Sequence, residues 1–465
     1  MNQNFSNHFH INSANWKKIN IEYLDDYITL KVPPGCDILQ MKKIPPLGNV
    51  KEEIEYAFEH PIHSLTIEEI VKAQKKPIDK LTVAIAVSDN TRPVPYNVDQ
   101  EENILSPILD RLAIVGIKRS NIKIIIGAGT HSPTSATWKK MAFGEKVYHN
   151  YLIIDHNCYS SDLIPIGNIK GVPVKINQDF LQADLHIITG LVEAHFMAGA
   201  SGGRKAICPG LINIEATRVF HGPEYMANPN ADNLIFNDNP CHEFALEVAR
   251  KVRVDFAVNV LLDGELHICG ITTGELERSH QRAVEHLRKY CEIHLEKKYD
   301  LVLTHGSKVA INHYQAVKGA WAALPAVKKG GKIILLAHNQ DEEPIGSNYY
   351  KDLLKRFQEV GVGNFYPLLL SPEWTFTHDQ WEVQKWEQVF TRIGGTENLI
   401  YCTVNIPPEV LATLPGISGY KFTRGSVPDI KEMLQRAVYY CVSQKENPSM
   451  AFLKEGPYLV LKSQG

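Results

Sequence analysis

One segment of the sequence, residues 190–210, combines the residue types of a chemical site. It reads GLVEAHFMAGASGGRKAICPG and continues from an apolar run, LHIITG. It contains His195 and Lys205 with three glycines between them, and His221 follows it. Two imidazoles and a primary amine on glycine-rich backbone at the end of a strand indicate a site for a substrate or a cofactor.

Lys205 is the most reactive candidate in this segment. Partial burial beside Arg204 would lower its pKa and make the amine a competent nucleophile. The alternatives are a lysine that faces solvent and a GGRK loop whose backbone N–H groups cradle a phosphate. The loop is not a Walker A motif, because GxxxxGK[ST] is absent.

Polar residues also follow two earlier apolar runs. SDNTRPVP (88–95) places Asp89, Thr91 and Arg92 in a turn. The arginine fork suits a carboxylate or phosphate, and the alternative is a surface turn with an Asp–Arg pair. GAGTHSPTS (127–135) offers His131 as a general base, or as a hydrogen-bonded loop histidine. His156, in DHNCYS, is more typical of a structural histidine.

A second group of candidates lies between residues 313 and 381. In HYQAVKG (313–319), Gln315 and Lys318 are three positions apart and share a helical face. That face either points into a cleft or is an ordinary solvated surface. Trp381, in THDQW, either covers such a cleft or packs in a core.

The elements that must position these residues alternate between strands and helices. Apolar runs at 81–87, 122–129, 151–155 and 185–190 predict buried parallel strands, with helices at 104–115 and 138–143. A helix over 279–298 is expected to close this part. Strands at 299–306, 332–338 and 397–404 and helices at 314–327 and 430–443 predict a second α/β part. Ligands bind at the carboxyl ends of such strands, where the polar candidates lie.

The predicted fold is therefore α/β, with two α/β domains, mostly parallel sheets and an active-site cleft between them. The expected boundaries are 1–295 for the catalytic and cofactor-binding domain and 296–447 for the domain that closes the cleft. Residues 1–20 form a loose lead-in, and the apolar tail 448–465 is a candidate to return to the first domain.

Composition excludes several classes of protein. The chain has 465 residues and a net charge of −3, so no electrostatic argument favours nucleic acid or an anionic membrane. It has no apolar stretch of about 20 residues and no apolar signal region, which favours a cytoplasmic location. Eight cysteines without a CxxC pair argue against a structural zinc site or a disulfide framework.

Together these motifs resemble the lactate racemase family, the nickel-pincer nucleotide-dependent 2-hydroxyacid racemases and epimerases. The resemblance runs from about residue 80 to about residue 385 and rests on SDNTRPVP, GTH, EAHFMAGASGGRKAICPG, His221 and YQAVKG, which occur in the family's order. The chain departs from the family's pattern at Ala194, where proline is frequent, and in SPTS after GTH.

The resemblance implies a role for each matched residue. Lys205 corresponds to the lysine bonded covalently to the cofactor, pyridinium-3-thioamide-5-thiocarboxylic acid mononucleotide with nickel, and His221 to the protein ligand of nickel. His131 and His195 correspond to paired acid/base residues on opposite faces of the substrate, and Arg92 to the clamp on its carboxylate. The remaining matched residues are expected to contact the cofactor (Asp89, Thr91, Gly202, Gly203) or the substrate (Tyr314, Gln315, Lys318, Trp381).

The implied function is inversion of the C2 configuration of a 2-hydroxy acid by hydride transfer to and from the cofactor. The implied partners are this small-molecule substrate and the enzymes that make the cofactor. The residues also leave open a nucleotide- or sugar-phosphate-binding transferase that uses the GGRK loop as an anion cradle, and a carrier that holds the cofactor without turnover. The sequence does not identify the particular hydroxy acid or the oligomeric state.

Overall fold

The computed structural model of the chain describes residues 13–45, 47–424 and 427–463. Within them the chain forms two compact units, one of residues 43–290 and one that combines the N-terminal residues up to 42 with residues 291 onwards. Both units are α/β with a mostly parallel six-stranded sheet, which confirms the predicted fold class.

The sheet of the 43–290 unit positions most of the candidate site. In spatial order its strands are Ile268–Gly274, Phe256–Leu262, Leu185–Leu191, Val83–Val87, Ile122–Ile126 and Leu152–Asp155. Only the first runs antiparallel to its neighbour. Every residue of Val83–Val87 and Leu185–Leu191 is buried, because helices and loops cover both faces of the sheet.

The helices of this unit surround the sheet, and two small hairpins lie beside it. The helices are Val50–Glu59, Ile67–Lys72, Leu105–Ile114, Ala136–Phe143, Glu145–Asn150, Gln178–Leu181, Ile214–Phe220, Pro223–Ala227, Pro240–Val252 and Leu276–Cys291. The hairpins are Ile164–Ile169 with Val172–Ile176, and Ala194–His195 with Gly199–Ala200.

The second unit contains another parallel sheet. Its strands, in spatial order, are Ile417–Ser418, Leu399–Cys402, Val327–Leu336, Tyr299–His305, Met450–Leu453 and Asp37–Leu39. Its helices are His313–Ala323, Asn348–Val360, Phe365–Leu369, Gln380–Ile393, Pro408–Leu411 and Ile430–Ser443. Two further strand pairs complete it, Lys17–Tyr23 with Asp26–Val32 and Glu292–Leu295 with Val460–Ser463.

The unit boundaries differ from the expected 1–295 and 296–447. The hairpin Lys17–Tyr23/Asp26–Val32 buries its apolar face in the core of the second unit, and Asp37–Leu39 extends that unit's sheet. The tail does not return to the first unit, because Val460–Ser463 pairs with Glu292–Leu295. Of the lead-in predicted over 1–20, residues 1–12 lie outside the described residues, and the part from Lys17 is already a strand.

The helix predicted over 279–298 is shorter in the structure. It spans Leu276–Cys291, and the chain then becomes the strand Glu292–Leu295. Among the residues that the structure describes, no helix combines the length and apolar character needed to cross a membrane.

Candidate active site

Three loops meet at the carboxyl edge of the first sheet. They follow the adjacent strands Leu185–Leu191, Val83–Val87 and Ile122–Ile126. The Gly127 amide donates to the carbonyl of Val87 (2.8 Å), and the Gly129 amide donates to the carbonyl of Gly210 (3.1 Å). The GAGTH loop therefore packs directly against the end of the 190–210 segment, which joins two of the motifs singled out in the sequence.

Asp89 and His131 form a hydrogen-bonded pair across two of these loops. His131 Nδ1 lies 2.5 Å from Asp89 Oδ2, and Asp89 Oδ1 accepts from the amide (3.1 Å) and the hydroxyl (2.6 Å) of Thr91. Burial raises the pKa of Asp89, but the hydrogen bonds from His131 and Thr91 outweigh burial and hold that pKa below its ordinary value. The ionised carboxylate thus fixes the proton on His131 Nδ1, and the half-exposed ring keeps a lone pair on Nε2.

Arg92 is partnered by Glu193 and not by Asp89. Its Nε lies 3.5 Å from Glu193 Oε2, and Nη1 donates to the carbonyl of Thr91 (2.8 Å). The side chain of Arg92 is 21% exposed, so the guanidinium is held in place yet remains accessible to a ligand. The alternative of a surface turn with an Asp–Arg pair is therefore wrong.

His195 begins a tight turn and caps it with its own ring. Nδ1 accepts hydrogen bonds from the amides of Met197 (3.2 Å) and Ala198 (3.3 Å), inside the hairpin Ala194–His195/Gly199–Ala200. Nε2 lies 3.2 Å from Nζ of Lys205. The structure thus brings together one of the two candidate acid/base histidines and the candidate attachment lysine.

Lys205 has an environment that favours the neutral amine. Burial, together with the positive charges of Arg92 and Arg204, lowers the pKa of Lys205 to about 7. Nζ also lies 5.3 Å from the centroid of the Phe220 ring. A lysine that titrates near neutrality is a nucleophile under physiological conditions.

Arg204 points into the protein interior. It is only 2% exposed, and Nη2 donates to the carbonyls of Ala198 and Ala200, the latter at 3.0 Å. The Gly203 amide donates to Asn259 Oδ1 (3.1 Å), and the Lys205 amide donates to the carbonyl of Gly202 (3.1 Å). Because the arginine and two loop amides are used internally, the loop does not present them as an anion cradle.

The two glycines before Arg204 allow close packing. Gly202 has φ +71°, and a Cβ there would lie 2.7 Å from Cγ2 of Val192. Gly203 has φ +51°, and a Cβ there would lie 2.7 Å from the ring of His280. Any larger residue would displace the turn that carries Lys205.

His221 follows the helix Ile214–Phe220, and its amide donates to the carbonyl of Thr217 (2.9 Å). Its ring centroid is 4.7 Å from that of Phe220, the ring that also faces Lys205 Nζ. Phe220 therefore contacts both the candidate nickel ligand and the candidate attachment residue. His156 is buried, and its Nε2 hydrogen-bonds to the carbonyl of Ile212 (2.9 Å), which fits a structural role.

The four candidates of the second unit form two contacting pairs. Trp381 Nε1 donates to the hydroxyl of Tyr314 (2.8 Å), and Lys318 Nζ donates to Gln315 Oε1 (2.5 Å). Three of them lie on the helix His313–Ala323, and Trp381 lies on Gln380–Ile393. Trp381 is only 3% exposed, so most of its ring is packing surface.

Glu382, next to Trp381, was not singled out in the sequence. It is 4% exposed, and its Oε2 has no hydrogen-bond partner in the described part of the chain. Burial raises the pKa of Glu382 to about 8, against the opposing charge of Lys318. The sequence offered one signal for Glu382, which is that an acidic residue stands directly beside a tryptophan in the helical segment WEVQKWEQVF.

Two more residues of the first unit hold candidate site residues in place but are not indicated by the sequence motifs. Glu193, the partner of Arg92, stood inside the 190–210 segment and gave no signal except its charge. Asn259 is the one polar residue of the buried strand FAVNVLL, and that interruption could have marked it. It receives the Gly203 amide and donates to Ser279 Oγ (3.1 Å), which fixes the turn before Lys205.

The comparisons with known proteins agree on one family. Residues 23–233 match the family profile described as lactate racemase N-terminal domain, and residues 296–424 match lactate racemase C-terminal domain. A lactate racemase of Thermoanaerobacterium thermosaccharolyticum is 31% identical over 342 residues, 72% of this chain and 76% of that protein. A lactate racemase of Lactiplantibacillus plantarum is 28% identical over 372 residues, 78% of this chain and 82% of that protein.

Solved structures show the same similarity. The lactate racemase apoprotein of T. thermosaccharolyticum superposes with a TM-score of 0.81 and 25% identity, covering 96% of this chain and 100% of that one. A protein of Thermotoga maritima has a TM-score of 0.62 at 15% identity, covering 92% of this chain and all of that one, and supports the fold alone.

Proposed function

Because the chain belongs to the lactate racemase family, we propose that it inverts C2 of a 2-hydroxy acid with the aid of a nickel-pincer nucleotide attached to Lys205. The chain is an isomerase that racemises 2-hydroxy acids. The proposal adds the cofactor and the residues that do the work. Lactate is the substrate that names the relatives, and it is the first to assay.

The observation that carries the proposal is that the hydrogen bonds of His131 and His195 favour opposite tautomers. Asp89 keeps the proton of His131 on Nδ1, so Nε2 is free to accept a proton. The backbone amides of Met197 and Ala198 occupy Nδ1 of His195, so Nε2 of that ring carries its proton. Inversion through a planar 2-oxo acid requires one group that takes the hydroxyl proton and another that returns a proton on the opposite face, and these two rings supply one of each.

Arg92 is the group that binds the substrate carboxylate in this proposal. A guanidinium matches the two oxygens of a carboxylate. In this structure the guanidinium of Arg92 pairs with the carboxylate of Glu193, with Nε 3.5 Å from Oε2. A substrate carboxylate therefore competes with Glu193 for Arg92. Correct orientation of the substrate depends on that exchange.

The chemistry of Lys205 and His221 fits the cofactor. Lys205 offers an amine whose pKa is about 7, and His221 contacts the same ring, Phe220, that Lys205 Nζ faces. When bound, the nickel-pincer nucleotide would supply a carbon centre that accepts and returns a hydride, which spares the enzyme a carbanion. Lys205 would hold it and His221 would ligate its nickel, with contacts proposed from Asp89, Thr91, Gly202 and Gly203.

The second unit is proposed to bind the substrate as well. Gln315 and Lys318 offer an amide and an ammonium group to the hydroxy acid, and Tyr314 and Trp381 offer ring surface. The cofactor-making enzymes as partners and a cytoplasmic location remain predictions.

The test is enantiomer interconversion by the loaded enzyme. Lactate and a panel of other chiral 2-hydroxy acids are incubated with protein co-expressed with cofactor-making enzymes, and the enantiomers are separated by chiral chromatography. His131→Ala and His195→Ala should each lower kcat by about 10²–10⁴-fold. His149→Ala, at a histidine whose side chain is 62% exposed, is the matched control and should keep full activity. Wild-type rates in His131→Ala would rule out the paired-histidine assignment.

A further inference from the structure

His195 makes hydrogen bonds through both of its ring nitrogens. Nδ1 faces two backbone N–H groups, those of Met197 and Ala198, at 3.2 and 3.3 Å. Nε2 faces Nζ of Lys205 at 3.2 Å. The ring is half-buried in the turn that it caps, so these contacts determine its tautomer.

The two sides of the ring together determine the protonation state of Lys205. A backbone N–H can only donate, so Nδ1 must accept and the proton of the neutral imidazole must be on Nε2. An ammonium group can only donate, so it cannot pair with Nε2–H. Nε2–H and Nζ are therefore compatible only when Lys205 is the neutral amine, which accepts the hydrogen bond through its lone pair.

Burial and the two neighbouring arginines also favour the neutral amine of Lys205. Its neighbours are the imidazole of His195 and the cations of Arg92 and Arg204, and two buried thiols lie farther off, those of Cys208 and Cys241. Positive charge from the two arginines disfavours an ammonium group at Nζ. Cys208 and Cys241 oppose this effect, but burial raises the pKa of Cys208 and so weakens its part of that opposition.

We propose that His195 is a positioning residue for Lys205: its Nε2–H donates to Nζ, holds the lysine as a neutral nucleophile and prepares it for covalent modification. The proposal rests on the proposed function for the identity of the modifying group, the cofactor. It gives His195 a task before turnover, in addition to its acid/base task during turnover. A His195 variant should accordingly attach the cofactor more slowly, which a role in acid/base catalysis alone does not require.

The chemical step can be examined with a simple acyl donor. With N-hydroxysuccinimidyl acetate, the Nζ lone pair attacks the acyl carbon, an amide bond forms and N-hydroxysuccinimide leaves with the electron pair of the broken bond. The extra amine proton goes to water, because Nε2 of His195 already carries a proton. The lysine needs its lone pair, so the rate reports the neutral fraction of Lys205.

The experiment uses the full chain expressed without cofactor-making enzymes. Acetylation of Lys205 is followed by peptide mass spectrometry from pH 6 to pH 10 in the wild type, in His195→Phe and in the surface control His149→Phe. Lys118, whose side chain is 59% exposed, serves as an internal reference in every sample. Lys205→Met verifies the assignment of the modified peptide.

The expected result is a change in the pH profile. In the wild type and His149→Phe the acetylation rate of Lys205 should be half-maximal near pH 7, and at each pH the rate of Lys118 serves to compare the variants with one another. In His195→Phe the rate at pH 7 should fall about three- to tenfold, the range of one lost hydrogen bond, and should reach the wild-type rate near pH 10. An unchanged rate at pH 7, or an equal fall at every pH, would overturn the proposal.

A second measurement reads the tautomer of His195 directly in the wild type and uses His195→Phe only to assign the signals. In the chain labelled with ¹⁵N-histidine, the His195 signals are those that vanish in His195→Phe. They should report a protonated Nε2 and an unprotonated Nδ1, and the reverse tautomer would refute the proposal. The acetylation experiment contains no cofactor, so its failure alone would leave the proposed racemase function standing. The reverse tautomer would also remove the assignment of His195 as a proton donor in that function. Absence of the cofactor from the loaded protein would leave both results standing.

Discussion

Asp89→Asn should disable His131 as a proton acceptor while it leaves the fold in place. Both oxygens of Asp89 accept hydrogen bonds, Oδ1 from Thr91 and Oδ2 from His131. Asparagine has the same shape, and its oxygen can keep the bonds to Thr91. Its NH₂ group would then face His131 Nδ1, which must accept, so the ring proton moves to Nε2 and the base is lost.

The magnitude follows from the contacts that the carboxylate makes. A hydrogen bond to a charged group contributes about 1.5–3 kcal/mol, which corresponds to about 10–150-fold in rate. Forcing the wrong tautomer adds to this loss, and the equivalent change in a serine hydrolase triad lowers kcat about 10⁴-fold. We expect kcat of Asp89→Asn to fall by about 10²–10⁴-fold.

The assay measures initial rates from each pure enantiomer of the substrate. Two enantiomers have equal free energy, so kcat/KM must fall by the same factor in both directions. Nickel content and intact mass are measured on the same samples, because the comparison requires equal loading. A fully loaded Asp89→Asn enzyme within threefold of the wild-type rate would refute the reasoning about His131.

Thr91→Val is the matched control for this prediction. It removes the 2.6 Å hydroxyl bond to Asp89 but keeps the carboxylate and its bond to His131. A hydrogen bond to a charged group contributes about 1.5–3 kcal/mol, but the Thr91 amide still holds Oδ1 and the tautomer of His131 is unchanged, so the rate should fall by about tenfold at most. A loss as large as that of Asp89→Asn would assign the effect to the shape of the turn instead of the tautomer.

Three further predictions concern other contacts. Burial raises the pKa of Glu382 from 4.5 to about 8. The protonated side chain therefore contributes stability at low pH, and this contribution is lost as the pH rises through that interval. In calorimetry, the Tm of Glu382→Gln minus the Tm of the wild type should grow between pH 5 and pH 9. A constant difference would contradict this assignment. Gly202→Ala, at φ +71°, should cost about 1–3 kcal/mol in chemical denaturation, whereas Gly264→Ala, with open space around it, should stay within about 0.5 kcal/mol of the wild type. Glu193→Gln should lower KM about two- to fivefold at unchanged kcat, because it removes the partly exposed carboxylate that competes with the substrate for Arg92. An unchanged KM would exclude that competition.

Local features of the fold could be predicted from the sequence. The strand Val83–Val87 is a fully apolar run, Ile122–Ile126 is apolar except for Lys123, and the helix Ile430–Ser443 has the predicted bounds. Non-local pairings could not be predicted. The strand Glu292–Leu295 reads as a continuation of a helix, and only its pairing with Val460–Ser463, far along the chain, makes it a strand.

The candidate site shows the same division between local and non-local information. Residue types at strand ends identified Asp89, His131, His195 and Lys205, because chemistry requires those groups. Their partners could not be read from spacing. Asp89 pairs with a histidine on the next loop instead of the arginine three positions away, and the backbone of the turn sets the tautomer of His195.

The most direct test of the account is intact mass and nickel content after co-expression with cofactor-making enzymes, for the wild type and Lys205→Ala. The account predicts a covalent adduct and about one nickel per wild-type chain, because it proposes one attachment residue, Lys205, and one protein ligand of nickel, His221. The adduct should be lost in Lys205→Ala. A folded wild-type chain with neither adduct nor nickel, from a host that loads a known lactate racemase, would contradict the account.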